Sequence, residues 1–257
     1  MTVDLEKYEK IPHGDMPGDK IRIEEEHVKK AERIFPKLED CIKKMTGNGR
    51  EKLVVCVCGG SGVGKSEIAS LLSYMMTESG YKSYVMSGDN YPHRIPEEND
   101  AMRERVYREG GEDALRRYLG SQDEIDFEMV DQILRDFKAG AETVRLKRMG
   151  RKPGEIWFDD VDVSDTKILF LEWTHGNSDL LTQVDIPVFL NSTPEETLAH
   201  RRARARDGKV DSPFVMMVLG FEQEMLRAQA GKAKLIMSKS GEFMKPDDVR
   251  KSGESEA

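Results

Sequence analysis

The chain has 257 residues, 38% hydrophobic and 34% charged, with a formal net charge of −8. That length carries one large domain or two small ones with a buried core. The acidic balance speaks against a general nucleic-acid binder, which needs a broad basic face, but leaves room for a local basic pocket that holds an anion.

Three cysteines, Cys41, Cys56 and Cys58, are too few and too badly placed for a disulfide framework. No histidine or further cysteine completes a set at zinc spacing, so they read as buried thiols. The start, MTVDLEKYEK, lacks an apolar signal region, and no apolar run approaches the about 20 residues a bilayer requires. The expectation is a soluble, cytoplasmic protein with no membrane or nucleic-acid partner.

Residues 1–50 read as a helical extension. IRIEEEHVKKAERIFPKLEDCIKKM is charged and helix-prone, with Ile23, Val28, Ile34 and Leu38 as an imperfect apolar stripe. Pro36 interrupts it, which predicts two short helices rather than one long one. The turn cluster TGNGREK then leads into the domain proper, residues 51–243.

From there strands and helices alternate. Lys52–Cys58 is a buried strand whose Cys56 and Cys58 share one sheet face, followed by a helix from Lys65 to about Ser79. A second strand, Lys82–Met86, precedes a helical region over Glu97–Leu119. Val130, Ile133, Leu134 and Phe137 then recur at i, i+3, i+4 and i+7, marking an amphipathic helix. AETVRLKR and GEIWFDDVDV read as a strand and a hairpin-like excursion. KILFLE and DIPVFLN are short apolar runs suited to the middle of a parallel sheet. Helices around Pro194–Asp207 and Pro213–Ala230 and a last strand at AKLIMS complete the pattern. The polar tail, residues 244–257, is expected to be disordered. Such alternation predicts a three-layer α/β domain with a mainly parallel central sheet and ligands at the C-terminal ends of its strands.

The strongest chemical signal follows the first core strand. Gly59, Gly60, Ser61, Gly62, Val63, Gly64, Lys65 and Ser66 satisfy G-x-x-x-x-G-K-[ST] in full. The glycines let backbone N–H groups turn inward onto phosphate oxygens, and the helix that starts near Lys65 adds its positive end. Lys65 would reach the β- and γ-phosphates, and the Ser66 hydroxyl would hold Mg²⁺. The apolar strand before and the helix after supply the context this motif needs.

A cradle alone does not separate hydrolysis from transfer. Transfer to a hydroxyl needs a carboxylate that takes the acceptor's proton and a second acid that fixes the metal. The second strand runs into VMSGDNYPHR, which puts Asp89 on a turn just past its end, as the base and a contributor to the metal site. KILFLEWTHGN ends its apolar strand on Glu172, an acid costly to bury unless paired or metal-bound. After DIPVFLNSTPEETLAH comes RRARARDGK, whose Arg201, Arg202, Arg204 and Arg206 spread around a helix. This reads as a lid closing over the γ-phosphate, with Arg202 and Arg206 assigned the catalytic role.

In this order, cradle, S-x-D-x-[FY] loop, acid-ended strand and arginine-rich lid resemble the uridine kinase/phosphoribulokinase family of P-loop kinases over about Lys52–Met237. The resemblance implies that Asp89 in SGDNY is the catalytic base and Glu172 in LEW the metal acid. It places His175 where relatives often carry a histidine and matches DEID, Asp123 to Asp126, with the family's DAFD helix start. The acceptor side is thereby expected to draw on Tyr91, Arg94, Asp123, Asp126, Arg148 and His175.

Departures from the family are informative. Trp173 stands in place of the family glycine after the acid, and the sugar-binding acid before DAFD has no clean counterpart in YLGSQDEID. Where nucleoside kinases carry the tyrosine and histidine that recognise the base, this chain has VRLKRMGRKPGEIWF, crowded with Arg145, Lys147, Arg148, Arg151 and Lys152. That speaks against uridine and toward an anionic or polyhydroxylated acceptor.

The expected activity is therefore a phosphotransferase with an alcohol group as acceptor. It would use ATP, or GTP, with Mg²⁺ on a small molecule such as a sugar, sugar phosphate or nucleoside-like metabolite, in a chain that could be a homo-oligomer. The GDN loop also resembles that of adenylylsulfate kinases, although their downstream ISP-type segment is lacking. A nucleotide switch or metallochaperone GTPase is the alternative of another class, and the chain has no N-K-x-D guanine-reading motif for it.

Overall fold

The computed structural model describes residues 5–8, 10–204 and 211–249. The lid residue Arg206 and residues 250–257 of the expected tail lie outside the described residues, as does the side chain of Arg204.

Leu53–Gly59 (β1) is buried along its whole length, as befits the central strand of a parallel sheet. It pairs on one side with Ile168–Glu172 (β5) and on the other with Ile186–Leu190 (β6). Ser83–Ser87 (β2) adds to β5, and Leu235–Met237 (β7) to β6. Among the described residues this gives a five-stranded parallel sheet in the order β2-β5-β1-β6-β7. The strand order diverges around β1, so a crevice opens beyond its C-terminal end.

Period-two alternation along β1 sends its side chains into two separate cores. Leu53, Val55 and Val57 pack with Glu25–Gly47 (α1) and Lys65–Glu78 (α2). Val54, Cys56 and Cys58 pack on the opposite face with Phe127–Lys138 (α4), whose Val130, Ile133, Leu134 and Phe137 form the expected stripe. Both strand thiols are buried and free, and burial pushes the Cys56 thiol up.

Pro96–Tyr118 (α3) is interrupted at Gly111, whose φ of 68° only a glycine adopts without strain. Thr143–Met149 (β3) and Ile156–Asp162 (β4) form the predicted excursion, an antiparallel pair separate from the main sheet. Leu198–Arg204 (α5) and Pro213–Gln229 (α6) complete the helices, and α6 packs on α3 through Val218, Leu115 and Leu119.

Two expectations are corrected. α1 is one continuous helix with Pro36 inside it. Val28, Ala31, Ile34, Leu38 and Ile42 are all fully buried on one face that spans the proline. Burying those larger apolar side chains, at about 2 kcal/mol each, outweighs the about 3 kcal/mol cost of an interior proline. The extension thus shares a core with α2. The tail, expected to be disordered from residue 244, is ordered through Val249, because Val249 is fully buried in the second core and the Met244 N–H donates to the Ile236 carbonyl at 2.9 Å.

Candidate phosphate-binding and acid-bearing cleft

Three glycines of the predicted cradle are there because nothing larger fits. Gly59 has φ 152°, and a Cβ on it would lie 2.5 Å from the Leu190 carbonyl oxygen of the neighbouring strand. Gly62, at φ 78°, passes under Arg201, and Gly64, at φ 94°, lies against the His27 imidazole from α1. Gly64 leads directly into α2, so Lys65 and Ser66 stand at a helix N-terminus, both buried. The Lys65 ammonium folds back onto the loop and donates to the Gly60 carbonyl at 3.2 Å.

The two predicted acids sit beside this loop on adjacent strand ends. In the sheet register Glu172 lies level with Val57 of β1 on one side and with Ser87 of β2 on the other. Glu172 is buried and accepts from the Ser87 hydroxyl at 3.3 Å. Asp89 is exposed, on a short 3₁₀ turn, Gly88–Asn90, that starts where β2 ends. Burial, reinforced by the negative charge of Asp89, pushes the Glu172 carboxyl up to about 7, against the pull of Lys65 and the Ser87 hydroxyl. Two carboxylates beside a hydroxyl-bearing helix end are an all-oxygen donor set suited to a hard divalent cation. Ser66, Glu172 and Asp89 therefore fit Mg²⁺.

The described arginines of the predicted lid are placed differently. Arg202 is exposed and paired with Asp211 at 2.6 Å. Arg201 is the arginine over the cradle: it is 6% exposed, donates to the Pro194 carbonyl at 2.7 Å and the Thr197 hydroxyl at 2.6 Å, and covers Gly62 with its stem. Its Nε is buried without a partner, as is the Ser192 hydroxyl, and both residues line a small cavity between the loop and α6. The reason is helical phase. Residues 197 and 201 share a face, and 202 is turned about 100° away.

The predicted acceptor residues are dispersed. Tyr91 is fully buried, its hydroxyl accepting from the Lys147 N–H at 3.4 Å, so it packs in the core rather than lining an open cleft. Asp126 caps α4 by accepting from the Met129 N–H. Asp123 is exposed, and its carbonyl and the Tyr118 hydroxyl accept from Arg94. Arg148 is committed to ion pairs with Asp15 at 2.8 Å and Asp159 at 3.0 Å, which removes it as a free anion receptor. His175 is buried against Trp173 and Phe127 with Nδ1 unpartnered, and burial lowers its pKa to about 4, so the ring is neutral.

Several residues were not foreseen. Glu124, between the two predicted aspartates, is fully buried and accepts from Asn99, Arg103 and the Gly120 N–H. Arg103 also reaches Glu222 of α6 at 3.2 Å, tying α3, α4's entry turn and α6 together. The adjacency of Glu124 to the matched Asp123 was the one signal available.

Glu26, His27 and His200 converge closely enough to suggest a second metal centre. Two observations argue against one. The Lys239 ammonium already sits among them, 3.0 Å from Glu26 and 3.1 Å from His200 Nε2. His27 Nδ1 accepts the Glu24 N–H, which leaves the proton on the nitrogen a metal would need.

The chain is 45% identical over 214 residues to the bifunctional alpha-galactosidase/sucrose kinase AgaSK of Mediterraneibacter gnavus, a match covering 83% of this chain and 23% of that one. It thus spans about a quarter of the relative's length. Phosphoribulokinase from Rhodobacter spheroides superposes with a TM-score of 0.54 at 18% identity, over 74% of this chain and 70% of that one. D-glycerate 3-kinase from Cryptococcus neoformans does so with 0.52 at 13%, over 82% and 98%. No protein-family model matches. The fold is accordingly that of the P-loop small-molecule kinases which the sequence resembles. Among the described residues no helix is long and apolar enough to cross a membrane.

Proposed function

We propose that this chain is an ATP-dependent kinase that transfers the γ-phosphoryl group to a hydroxyl of a sugar. The observation that supports the reading is the level register of Ser87 and Glu172 beside β1: the buried Glu172 and the turn that bears the exposed Asp89 lie at adjoining strand ends. The relative supports a sugar as the acceptor class: the protein that is 45% identical over 214 residues is a bifunctional alpha-galactosidase/sucrose kinase.

In the proposed reaction, backbone N–H groups of residues 59–64 and the end of α2 hold the phosphates, and Lys65 leaves the Gly60 carbonyl to meet them. Ser66 and Glu172, with Asp89 beside them, would hold Mg²⁺, which when bound neutralises charge on the phosphate oxygens. Asp89 orients the acceptor hydroxyl and takes its proton as the new O–P bond forms and the bond to ADP breaks, ADP leaving with the electron pair. Arg201 supplies positive charge from above the loop, and closure of the lid excludes water. GTP is the alternative donor to ATP, and a cytoplasmic location belongs to the same proposal.

The similar proteins do not favour an adenylylsulfate kinase. A nucleotide switch differs in its response. The test is ADP release from ATP over a panel of hydroxyl compounds that includes sucrose, other sugars, sugar phosphates and nucleosides. Sugar-dependent release is expected. Release that no acceptor accelerates would end the kinase reading.

A further inference from the structure

Among the described residues β2 is an edge strand, and one row of its backbone groups has no strand to pair with. The segment before α1 covers that edge. Tyr8 stands edge-on to Tyr74 of α2, Ile11 is buried, and the chain then brings Asp15 to the C-terminal end of β2. The Asp15 side chain is 8% exposed, and its two oxygens do different work. Oδ1 accepts from the Ser87 N–H at 2.7 Å and from Asn90 Nδ2 at 3.3 Å. Oδ2 accepts from the Tyr84 hydroxyl at 3.0 Å and from Arg148 at 2.8 Å.

Ser87 and Asn90 bracket Asp89. Ser87 also donates its hydroxyl to Glu172, and the Asn90 Oδ1 accepts from the Met149 N–H at 3.0 Å. One carboxylate from the N-terminal extension thus grips both ends of the turn that carries the proposed base.

We infer that Asp15 is a positioning residue: through Oδ1 it holds the Gly88–Asn90 turn so that Asp89 meets the acceptor hydroxyl, which makes the N-terminal extension part of the catalytic apparatus. A displacement of about 1 Å at a reacting group costs up to about a hundredfold in rate, and Asp15 is the side chain that bonds the turn on both sides of Asp89 at once. This inference rests on the kinase reading above.

The test uses the full chain with Asp15→Ala, Asp15→Asn and Tyr84→Phe, read by sugar-dependent kcat, by KM for ATP, and by amide hydrogen exchange over residues 86–91 without substrate. Asp15→Ala should lower kcat about ten- to hundredfold with KM for ATP within about twofold, and should speed exchange over 86–91. Asp15→Asn, which keeps one acceptor oxygen for Ser87, should recover part of both. Tyr84→Phe removes a bond from the Oδ2 side alone and should leave kcat within about twofold. Wild-type kcat and unchanged exchange in Asp15→Ala would overturn the inference, as would a loss in Tyr84→Phe equal to that in Asp15→Ala. Should Asp15→Ala not fold, Asp15→Asn decides by the same readouts. A wild-type chain without sugar-dependent turnover would sink the kinase reading instead, and unaltered exchange in the Asp15 variants would then dispose of the positioning role as well.

Discussion

Trp173 and Gly88 share one space: a Cβ built on Gly88 would fall inside the Trp173 indole. Trp173 follows Glu172, and Gly88 precedes Asp89, so the two acids of the cleft are spaced by a packed ring against a bare Cα. Trp173 is itself 1% exposed and packs against Phe127 at the start of α4, the ring centroids 5.2 Å apart and the planes tilted by 42°. The tryptophan that departs from the family pattern is therefore accommodated by a glycine on the opposite strand end.

That pairing predicts strong non-additivity. Gly88→Ala overpacks the site and should cost about 1–3 kcal/mol, while Trp173→Gly leaves a void and should cost about 3–5 kcal/mol. With the indole gone, the alanine at 88 should add under about 1 kcal/mol, giving a coupling within the usual range for contacting residues. Urea unfolding of the two single variants and the double variant measures this. Simple additivity would mean the ring moves aside freely.

Asp89→Asn should lower sugar-dependent turnover by about 10² or more while leaving ATP affinity nearly intact, the scale of a lost general base. Lys65→Ala should instead damage both, because its ammonium is the positive charge that lies on the glycine loop. Turnover and nucleotide affinity, measured separately, distinguish the two. A fast Asp89→Asn enzyme would remove that residue from the role.

The two neighbouring lid arginines should behave differently. Arg201→Ala should lower kcat by about 10² or more, the range for removing one positioned charge from a transition state. Arg202→Ala breaks only an exposed pair with Asp211, worth about 0–1 kcal/mol, and should retain near wild-type kinetics. Equal losses would show that the apo side-chain arrangement does not survive lid closure.

Glu172 sets a pH dependence. Its folded-state pKa of about 7 lies above its ordinary value of 4.5. The stability this group contributes is thus fully present below about pH 4.5 and is lost as pH rises through about 7. The shift corresponds to a term on the order of 3 kcal/mol. Glu172→Gln does not titrate, so in the presence of a chelator its stability relative to wild type should rise between pH 5 and 8, while its activity is lost. Urea midpoints at four pH values provide the check, and parallel profiles would show that Glu172 is not desolvated as described.

The order of strands and helices, the phosphate cradle and the two strand-end acids were legible in the chain alone. Each is a local matter: apolar period, turn glycines, and an acid placed one residue after a buried run. Even there Pro36 misled, because a local penalty was outweighed by burial along the whole face of α1.

What the tertiary structure alone decided are relations between distant residues. Which of four arginines covers Gly62 depends on the phase at which α5 packs, and Arg148 ceased to be a free anion receptor because Asp15, 133 residues away in sequence, neutralises it. Glu124 acquired its role from Arg103 and Glu222 on two other helices. A sequence states which groups are present and which backbone turns are permitted. Which charges meet, and which side chain fills the space left by a glycine, follows from packing, since each partner is brought by a separate element of the fold.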